Sequence, residues 1–317
     1  MVKYVIFIQT LNTMTTSRRD FIKKSALAVA GGSLLSTSLF AHTAKDKLLG
    51  LQLYCVRDEM KKDPLGTLKE LAKYGYKHVE HANYVDRKFY GWTTTEFKKI
   101  LGDMGMTMPS GHTVLSKTRH WDDAKKDFND LWKYTVEDAA TMGQQFVISP
   151  SMDQKVRQNY DELLKFLEMF NKSGELCKKS GMKFGYHNHD FEFSEKLNDK
   201  TLYDIILQNT DPNLVMQQLD TGNLYNGGAK AIDIVRKYPG RFESLHVKDE
   251  IKTTEGSKEK YESTILGAGI VGVKEVIDLC RDSGGTIHFI IEQESYQGKT
   301  PLQCMKEDYD VMKKWGY

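Results

Sequence analysis

The sequence predicts a (β/α)8 barrel, in which eight parallel strands alternate with eight helices around one core. From Leu48 onward, short runs rich in β-branched and aromatic residues alternate with longer amphipathic segments, the pattern of parallel βα units. The alternation repeats eight times, and eight units in about 250 residues suit one closed barrel. No proline- or serine-rich linker and no charge block divides this part of the chain. A doubly wound open sheet is the alternative arrangement.

The strands and the first helix carry recognisable local signals. The first intervening helix, PLGTLKELAKYG (64–75), has leucines at 65, 68 and 71 on one face, while Pro64 opens it and Gly75 ends it. The eight candidate strands are LLGLQLY (48–54), YKHVEH (76–81), MTMPSGH (106–112), QFVISP (145–150), MKFGYHN (182–188), LVMQQLD (214–220), RFESLHVK (241–248) and TIHFIIE (286–292).

The first 44 residues are typical of an export signal and not of a barrel element. TSRRDFIKK (16–24), with its paired arginines Arg18 and Arg19, resembles the twin-arginine pattern and precedes a weakly hydrophobic run, SALAVAGGSLLSTSLFA (25–41). That run is too short and too rich in glycine and serine to span a membrane. An amphipathic first helix is the alternative. We therefore predict a signal region at 1–44, a barrel domain at 45–317, an exported or periplasmic protein, and export machinery as a partner of the precursor.

Charge and cysteine spacing exclude several classes of function. Removing residues 1–44 takes five basic residues and one acidic residue from a formal net charge of +2, which leaves −2. A chain of this charge has no general attraction to nucleic acid. The four cysteines are dispersed without a C-x-x-C pair, so packed thiols are expected, and a disulfide after export stays open. They are Cys55, Cys177, Cys280 and Cys304.

One glycine-rich segment, GAGIVG, matches the G-x-G-x-x-G spacing of dinucleotide sites at Gly267, Gly269 and Gly272. Such a site needs the glycines directly after a strand, so that the pyrophosphate meets the next helix. Here the polar segment 249–264 separates them from the nearest candidate strand. We interpret GAGIVG as a loop leading into a helix near Val273.

Four polar residues stand at or near the carboxyl ends of consecutive strands, the end at which barrel enzymes carry their chemistry. They are His187, Asp220, His246 and Glu292, on candidate strands five to eight. Residues two apart share a face of a strand, and in each case the neighbours on the opposite face are apolar. The four side chains are therefore predicted to point into the barrel at its upper rim. Taken singly, each could instead be a core histidine or a helix-capping carboxylate.

Two imidazoles and two carboxylates in one cluster indicate a site for one divalent metal ion. Mixed nitrogen and oxygen ligands suit Mn²⁺ or Zn²⁺, or else cobalt or iron(II), better than calcium or magnesium. Burying Asp220 and Glu292 near one another would also be costly without a cation. Such an ion could polarise a carbonyl and stabilise an enediolate.

At these residues the sequence resembles the xylose isomerase-like barrels, the sugar phosphate isomerase/epimerase superfamily that includes ketose 3-epimerases and inosose dehydratases. The resemblance covers most of the chain after the signal region. It includes LGLQLYCVRD (49–58), LKELAKYGYKHVE (68–80), GYHNHDFEF (185–193), QLDTGNLYNGG (218–228), LHVKDE (245–250) and LGAGIVGVKEVI (266–277).

The resemblance implies metal ligands and one departure from the epimerase pattern. Asp220, His246 and Glu292 match three family ligands, and His187 matches the fourth, where ketose epimerases usually carry glutamate. Those epimerases are thought to use two metal-bound carboxylates on opposite faces of the sugar. With His187 on one face, chemistry with a single base is expected, through Glu292, His189 or Glu294.

Other residues near the strand ends are candidates for substrate contact. Glu80, His112, His189 and Lys248 could bind sugar hydroxyls, and Lys248 could supply charge to an enediolate. Ordinary hydrogen bonds or ion pairs in loops are the alternative for each.

The leading hypothesis is a metal-dependent isomerase or epimerase acting on a small, unphosphorylated carbohydrate, since phosphorylated sugars are largely intracellular. The alternatives are β-elimination from a keto-glycoside and a non-catalytic carbohydrate-binding protein. Apurinic endonucleases share the fold, but the charge of −2 offers no basic groove for nucleic acid.

Overall fold

Eight parallel strands close into a barrel in the computed structural model, which describes residues 47–254, 257 and 260–317. The strands are β1 (Leu48–Gln52), β2 (His78–His81), β3 (Thr107–His112), β4 (Phe146–Ser149), β5 (Lys183–His187), β6 (Val215–Asp220), β7 (Ser244–Val247) and β8 (His288–Ile291). Each pairs in parallel with its sequence neighbours, and β8 closes the ring on β1. This confirms the predicted (β/α)8 class and rules out the open sheet. The predicted signal region lies outside the described residues.

One principal helix follows each strand. These helices are α1 (Pro64–Tyr74), α2 (Thr94–Asp103), α3 (Asp130–Met142), α4 (Tyr160–Lys178), α5 (Leu202–Asn209), α6 (Ala231–Lys237), α7 (Val273–Leu279) and α8 (Pro301–Lys314). Helix α1 begins and ends as its sequence predicts, because the Asp63 side chain caps Gly66 N–H and Gly75 adopts a left-handed conformation with φ of 110°. None of the described helices is both long and apolar enough to cross a lipid bilayer.

Short helical turns and hairpins follow the carboxyl ends of several strands. The turns at these ends are Leu53–Val56, Arg57–Lys62, Lys117–His120, Gln154–Arg157, Phe191–Ser194 and Thr221–Asn226, whereas the turn Cys280–Gly284 connects α7 to the start of β8. The small sheets are Tyr84–Val85 with Lys88–Phe89 and Trp92–Thr93, Trp121–Asp122 with Asp127–Phe128, Lys196–Leu197 with Lys200–Thr201, and Asp249–Lys252 with Tyr261–Thr264. These turns and hairpins surround the barrel opening at the carboxyl ends of the strands, where the polar strand residues lie.

The apolar core lies mainly between the strands and the helices, in two large clusters of buried side chains. Inside the barrel, a smaller apolar layer of Phe146, Ile148 and Met216 fills the part that lies away from the carboxyl ends of the strands. Gly185 makes room for that layer, because a Cβ there would lie 2.7 Å from Met216 Sδ. Above it, the interior is polar. All four cysteines are buried free thiols, in agreement with the expectation of packed side chains.

The GAGIVG loop is occupied by a carboxylate of this chain. Gly267 N–H and Gly269 N–H donate to Asp249 Oδ2 at 2.9 and 3.1 Å, and Val271 N–H donates to Oδ1 at 3.1 Å. The loop then leads into α7 at Val273. This geometry agrees with the interpretation of GAGIVG as a structural loop, because its amides already bind an internal anion.

Candidate metal centre

Four strand ends bring His187, Asp220, His246 and Glu292 together inside the barrel. His187 and Asp220 end β5 and β6, His246 lies in β7 directly opposite Asp220, and Glu292 follows β8 by one residue. All four side chains are buried, and one ligand atom from each lies within 4.8 Å of those of the other three. The parallel register therefore produces the convergence that strand parity predicted.

His246 stands at the centre of the cluster and uses both ring nitrogens. Its Nδ1 hydrogen-bonds Glu292 Oε2 and lies 3.8 Å from Asp220 Oδ2. Its Nε2–H donates to Glu80 Oε1 at 2.6 Å. A carboxylate behind a ligating imidazole fixes the ring and raises its basicity, the common outer-shell arrangement of metal sites. Nδ1 is thus the nitrogen that faces the other candidate ligands.

Asp220 has one satisfied and one unsatisfied carboxylate oxygen. Oδ1 accepts a hydrogen bond from Asn223 N–H at 2.7 Å and caps the turn Thr221–Asn226. Oδ2 is buried and has no hydrogen-bond partner among the described residues. The side-chain oxygen of Asn188 accepts a hydrogen bond from Asp220 N–H at 2.9 Å and so fixes the backbone of Asp220. A fixed, buried oxygen without a partner is what a cation ligand offers.

Gln218 sets the orientation of the two remaining imidazoles. Its Nε2 donates to Glu80 Oε2 at 2.9 Å and to Ser244 Oγ at 3.0 Å, which fixes the direction of the amide. Its Oε1 can then only accept, at 3.1 Å from His187 Nδ1 and 2.7 Å from His112 Nε2. The proton of His187 is thereby assigned to Nδ1, and its Nε2 lone pair, 3.5 Å from Asn223 Nδ2, is available to a metal ion.

Burial and the neighbouring charges set the protonation of the cluster. Burial opposes charge on His246, but Glu292 and Glu80 raise its pKa to about 10. Burial raises the pKa of Asp220 well above its ordinary range, whereas for Glu292 the charges of His246 and Lys248 overcome burial and hold the pKa well below it. Burial beside other imidazoles lowers the pKa of His187. Bound protons thus offset the negative charge of the buried carboxylates, and a divalent cation would replace those protons.

The donor set fits a divalent ion. It combines a neutral imidazole, a second imidazole oriented by a carboxylate, and two carboxylates, one with a buried oxygen that lacks a partner. Mixed ligation of this kind suits Mn²⁺ or Zn²⁺. His112, His187 and His246 also converge as a set of three imidazoles. Because Gln218 and Glu80 both hold His112 Nε2, we favour the four-residue set.

A cavity of about 650 Å³ opens onto the cluster from the carboxyl ends of the strands. His187 and Glu292 reach its wall, together with three other residues singled out from the sequence, His112, His189 and Glu294. His189 packs edge-on to His187, and its Nδ1 is buried without a hydrogen-bond partner among the described residues. These residues therefore line the cavity, and their catalytic and substrate-binding roles stay predictions.

Two other candidates occupy positions that differ from the expected substrate contacts. Glu80 is fully buried within the barrel, where Gln52, Ser110 and His246 donate to its carboxylate, so it supports the ligands from below. Lys248 is 4% exposed and lies behind the cavity wall, donating to Glu294 Oε1 at 2.6 Å and to Asn223 Oδ1 at 3.2 Å. The strand-end position of each residue was visible in the sequence, but its neighbours were not.

Sequence reasoning missed the polar layer beneath the ligands and an amide beside them. The residues are Gln52, Ser110, Gln218, Ser244 and Asn223. One signal was available, because Gln218 shares strand parity with Asp220 in a segment that otherwise reads as a buried strand.

We expect Glu80→Gln to lower metal affinity about 10- to 100-fold, the usual effect of losing the carboxylate behind a ligating histidine. Competition titration with a chromogenic chelator measures this change, and circular dichroism reports whether the barrel is folded. Asp308→Asn is the matched control, since it alters a buried carboxyl on α8, outside the ligand set. An unchanged affinity in the folded Glu80 variant would contradict the supporting role.

A second buried glutamate predicts a pH effect on stability. Burial raises the pKa of Glu192 to about 8, despite hydrogen bonds from Tyr186 OH and from His189 N–H. In the unfolded chain its pKa is about 4.3. The stability contributed by the neutral carboxyl is therefore fully present below about pH 4.3 and is lost towards pH 8, by up to about 1.4 kcal/mol per pH unit.

Glu192→Gln mimics the neutral carboxyl and should remove the part of the pH dependence of stability that comes from Glu192. Urea unfolding between pH 5 and pH 8 should show the variant gaining stability relative to wild type as pH rises. Glu195→Gln, a partly exposed neighbour, serves as the control. Parallel pH profiles for wild type and Glu192→Gln would disprove the buried-proton assignment.

Comparisons with known proteins were made on sequence and on structure. The sequence profile of the family "Xylose isomerase-like TIM barrel" matches residues 68–315. The inosose dehydratase of Clostridium perfringens is 27% identical over 157 residues, which cover 46% of this chain. The match spans only about half, 52%, of that relative's own length.

Two longer matches agree with this relationship. The inosose dehydratase of Clostridium beijerinckii is 28% identical over 242 residues, covering 73% of this chain and 78% of the relative. Among solved structures, a sugar phosphate isomerase/epimerase from Parabacteroides distasonis superposes with a TM-score of 0.70 at 26% identity. That superposition covers 86% of this chain and 95% of the other.

Proposed function

The chain belongs to the xylose isomerase-like TIM barrel family, and we propose that it is a metal-dependent enzyme that removes the proton next to the carbonyl of an unphosphorylated keto-sugar derivative and completes a β-elimination. The observation that carries this proposal is the buried set of His187, Asp220, His246 and Glu292 at the floor of a single cavity that also holds candidate bases. The relatives named as dehydratases and as an isomerase/epimerase support a sugar-modifying activity.

The four residues of the cluster would hold the ion, with His187 through Nε2 and His246 through Nδ1. When bound, the ion supplies Lewis-acid polarisation of a carbonyl and charge stabilisation of the enediolate that proton loss creates. The protein contributes a dry, rigid floor. Glu80 and Gln218 fix the imidazoles, and Asn188 fixes the Asp220 backbone, so little reorganisation is needed when charge develops.

Proton removal falls to side chains on the cavity wall. Glu294 and His189 both line the cavity, and Lys248 positions the Glu294 carboxylate through a hydrogen bond of 2.6 Å. Burial lowers the pKa of His189, which keeps its imidazole neutral and able to accept a proton. Glu292 also reaches the wall, but its Oε2 is engaged by His246.

His187 favours elimination over two-base epimerisation. Its Nδ1–H is committed to Gln218 and its Nε2 lone pair faces the ligand cluster, so neither nitrogen is free to receive a substrate proton. In the elimination, the base takes the proton α to the carbonyl and a carbon–carbon double bond forms. The β carbon–oxygen bond breaks, and its bonding electrons leave on the oxygen. The leaving oxygen then acquires a proton and departs as water or an alcohol.

Substrate profiling in D₂O tests the proposal. Metal-loaded protein should convert 3-keto-glycosides to unsaturated keto-sugars, with a new ultraviolet absorbance, and should exchange deuterium next to the carbonyl of substrate that has not yet eliminated. Free ketoses should show no inversion at C3. Efficient C3 inversion of a ketose, without elimination from any keto-glycoside, would replace the lyase by an epimerase.

We also propose that the protein is exported through the twin-arginine route, which supports the choice of an unphosphorylated substrate. Replacing Arg18 and Arg19 by lysine should leave precursor in the cytoplasm, measured by cell fractionation and immunoblotting. Undiminished export of the double variant would contradict this route.

A further inference from the structure

Exposed apolar side chains gather at the cavity described above. Within the described part of the chain, five of the large hydrophobic residues with high exposure line it: Tyr54 (42%), Val85 (55%), Val114 (47%), Leu131 (52%) and Tyr134 (40%). Only two others of this kind, Leu65 and Ile270, lie outside the cavity lining among those residues. Scattered exposed apolar residues need no explanation, but a group that shares one concave wall is typical of a ligand site.

Four of these residues lie away from the candidate metal ligands along the barrel rim, whereas Tyr54 follows β1, the strand that pairs with β8. Val85 belongs to the hairpin after β2, Val114 follows β3, and Leu131 and Tyr134 lie in the first turns of α3. The ligands come from β5 to β8 on the other side of the barrel. The cavity therefore has a polar end at the ligand cluster and an apolar end between the β2 hairpin and α3.

The apolar end is built on a fixed framework. The Arg87 guanidinium covers the Tyr134 ring at 4.2 Å and donates to both carboxylate oxygens of Asp138, at 2.9 and 2.7 Å. Tyr84 OH donates to the same carboxylate at 2.6 Å. The hairpin is thus tied to α3 without any ligand. Asp138 neutralises Arg87, so this guanidinium does not require an anionic ligand, and Arg119 also lines the cavity.

The volume of the cavity also exceeds the needs of one sugar ring. Cavities of about 300–1,000 Å³ hold drug-sized ligands, and this one measures about 650 Å³. A single sugar at the ligand cluster would leave the apolar wall in water. An apolar group attached to that sugar would bury the wall and gain the free energy of removing apolar surface from water.

We propose that the apolar end of the cavity is a subsite for an uncharged aromatic aglycone, so that the substrate is an aryl keto-glycoside and not a free monosaccharide. The inference rests on the proposed function for the sugar end of the cavity. The Tyr134 ring favours stacking with an aromatic group, and Val85, Val114 and Leu131 supply aliphatic contact. In the elimination above, the leaving oxygen would then carry the aromatic group.

Calorimetric binding of two glycosides tests the subsite without turnover. Phenyl β-D-glucopyranoside should bind wild type at least about tenfold more tightly than methyl β-D-glucopyranoside, because even a single methylene in an apolar pocket is worth that much. In Val114→Ser/Leu131→Ser the preference for the phenyl glycoside should shrink severalfold, because two aliphatic contacts are lost while the Tyr134 ring remains. Both residues are largely exposed, so the barrel should stay folded. Leu65→Ser/Ile270→Ser, the matched exposed pair outside the cavity, should keep the preference.

Equal affinities in wild type, no binding of either glycoside, or an undiminished phenyl preference in the cavity double variant would each overturn the subsite. Turnover of the two 3-keto-glycosides separates this failure from failure of the proposed function. Turnover of both with equal kcat/KM refutes the subsite alone. A retained phenyl preference in binding, with no elimination or deuterium exchange from either compound, refutes the proposed reaction and leaves the subsite standing.

Discussion

Asp220→Ala is expected to abolish binding of the proposed divalent ion while the barrel stays folded. The substitution deletes Oδ2, a buried carboxyl oxygen of the cluster that has no hydrogen bond among the described residues and lies 3.8 Å from His246 Nδ1. Loss of an outer-shell partner already costs about 10- to 100-fold in metal affinity or activity, so loss of a ligand should exceed 100-fold. Elemental analysis of the purified variant should find far less than the one ion per chain expected for wild type.

Asp220→Asn is the matched control for the folding contribution of this residue. Asp220 Oδ1 caps Asn223 N–H, a contact worth about 1 kcal/mol that asparagine can keep and alanine cannot. The asparagine variant should therefore be as stable as wild type and still lose the metal. Full metal occupancy in the alanine variant would contradict the assignment of the ligand set.

Replacing His189 and Glu294, the two candidate bases on the cavity wall, should have the second large effect on the reaction. His189→Ala/Glu294→Ala is expected to slow deuterium exchange next to the carbonyl, and elimination with it, by about 10²- to 10⁴-fold, the usual contribution of a positioned general base. Both residues line the cavity, and neither belongs to the ligand cluster, so metal content should be unchanged. Nuclear magnetic resonance in D₂O measures the exchange rate on wild type and variant under identical metal loading.

The single variants and a distant control make this result specific. Whichever of His189→Ala and Glu294→Ala carries most of the loss identifies the base. His78→Ala/Glu307→Ala alters the same residue types outside the cavity lining and should leave exchange unchanged. Rapid C3 epimerisation by wild type that persists in the double wall variant would show that His187 does not prevent two-base chemistry.

The barrel and the floor of its site could be predicted because both depend on short-range periodicity. Each strand was located by a run of β-branched or aromatic residues, and side chains two apart share a face of the strand. His187, Asp220 and His246 therefore pointed into the barrel once eight parallel strands were assumed. Parallel strands of one barrel also end at the same rim, which brought Glu292 to the other three.

The tertiary structure decided what each polar residue contacts. Glu80 looked like a substrate contact from its strand end, but the barrel interior places it against His246, Gln218 and Ser110. Lys248 likewise lies behind Glu294 and not in the cavity wall. Such pairings join residues far apart in the chain, whose distance depends on strand stagger and side-chain packing and not on local sequence pattern.

The sequence by itself determined the (β/α)8 class, its strands and the inward-facing ligand candidates, because helix and strand periods are local properties of the chain. Only the tertiary structure revealed the buried Asp220 oxygen that has no hydrogen bond within the described part of the chain, the tautomer imposed on His187 by Gln218, and the apolar end of the cavity near Leu131. Each of these arises where several strands and loops meet. Burial, desolvation and hydrogen-bond satisfaction are set by all neighbours at once, and those neighbours are defined only when the barrel closes.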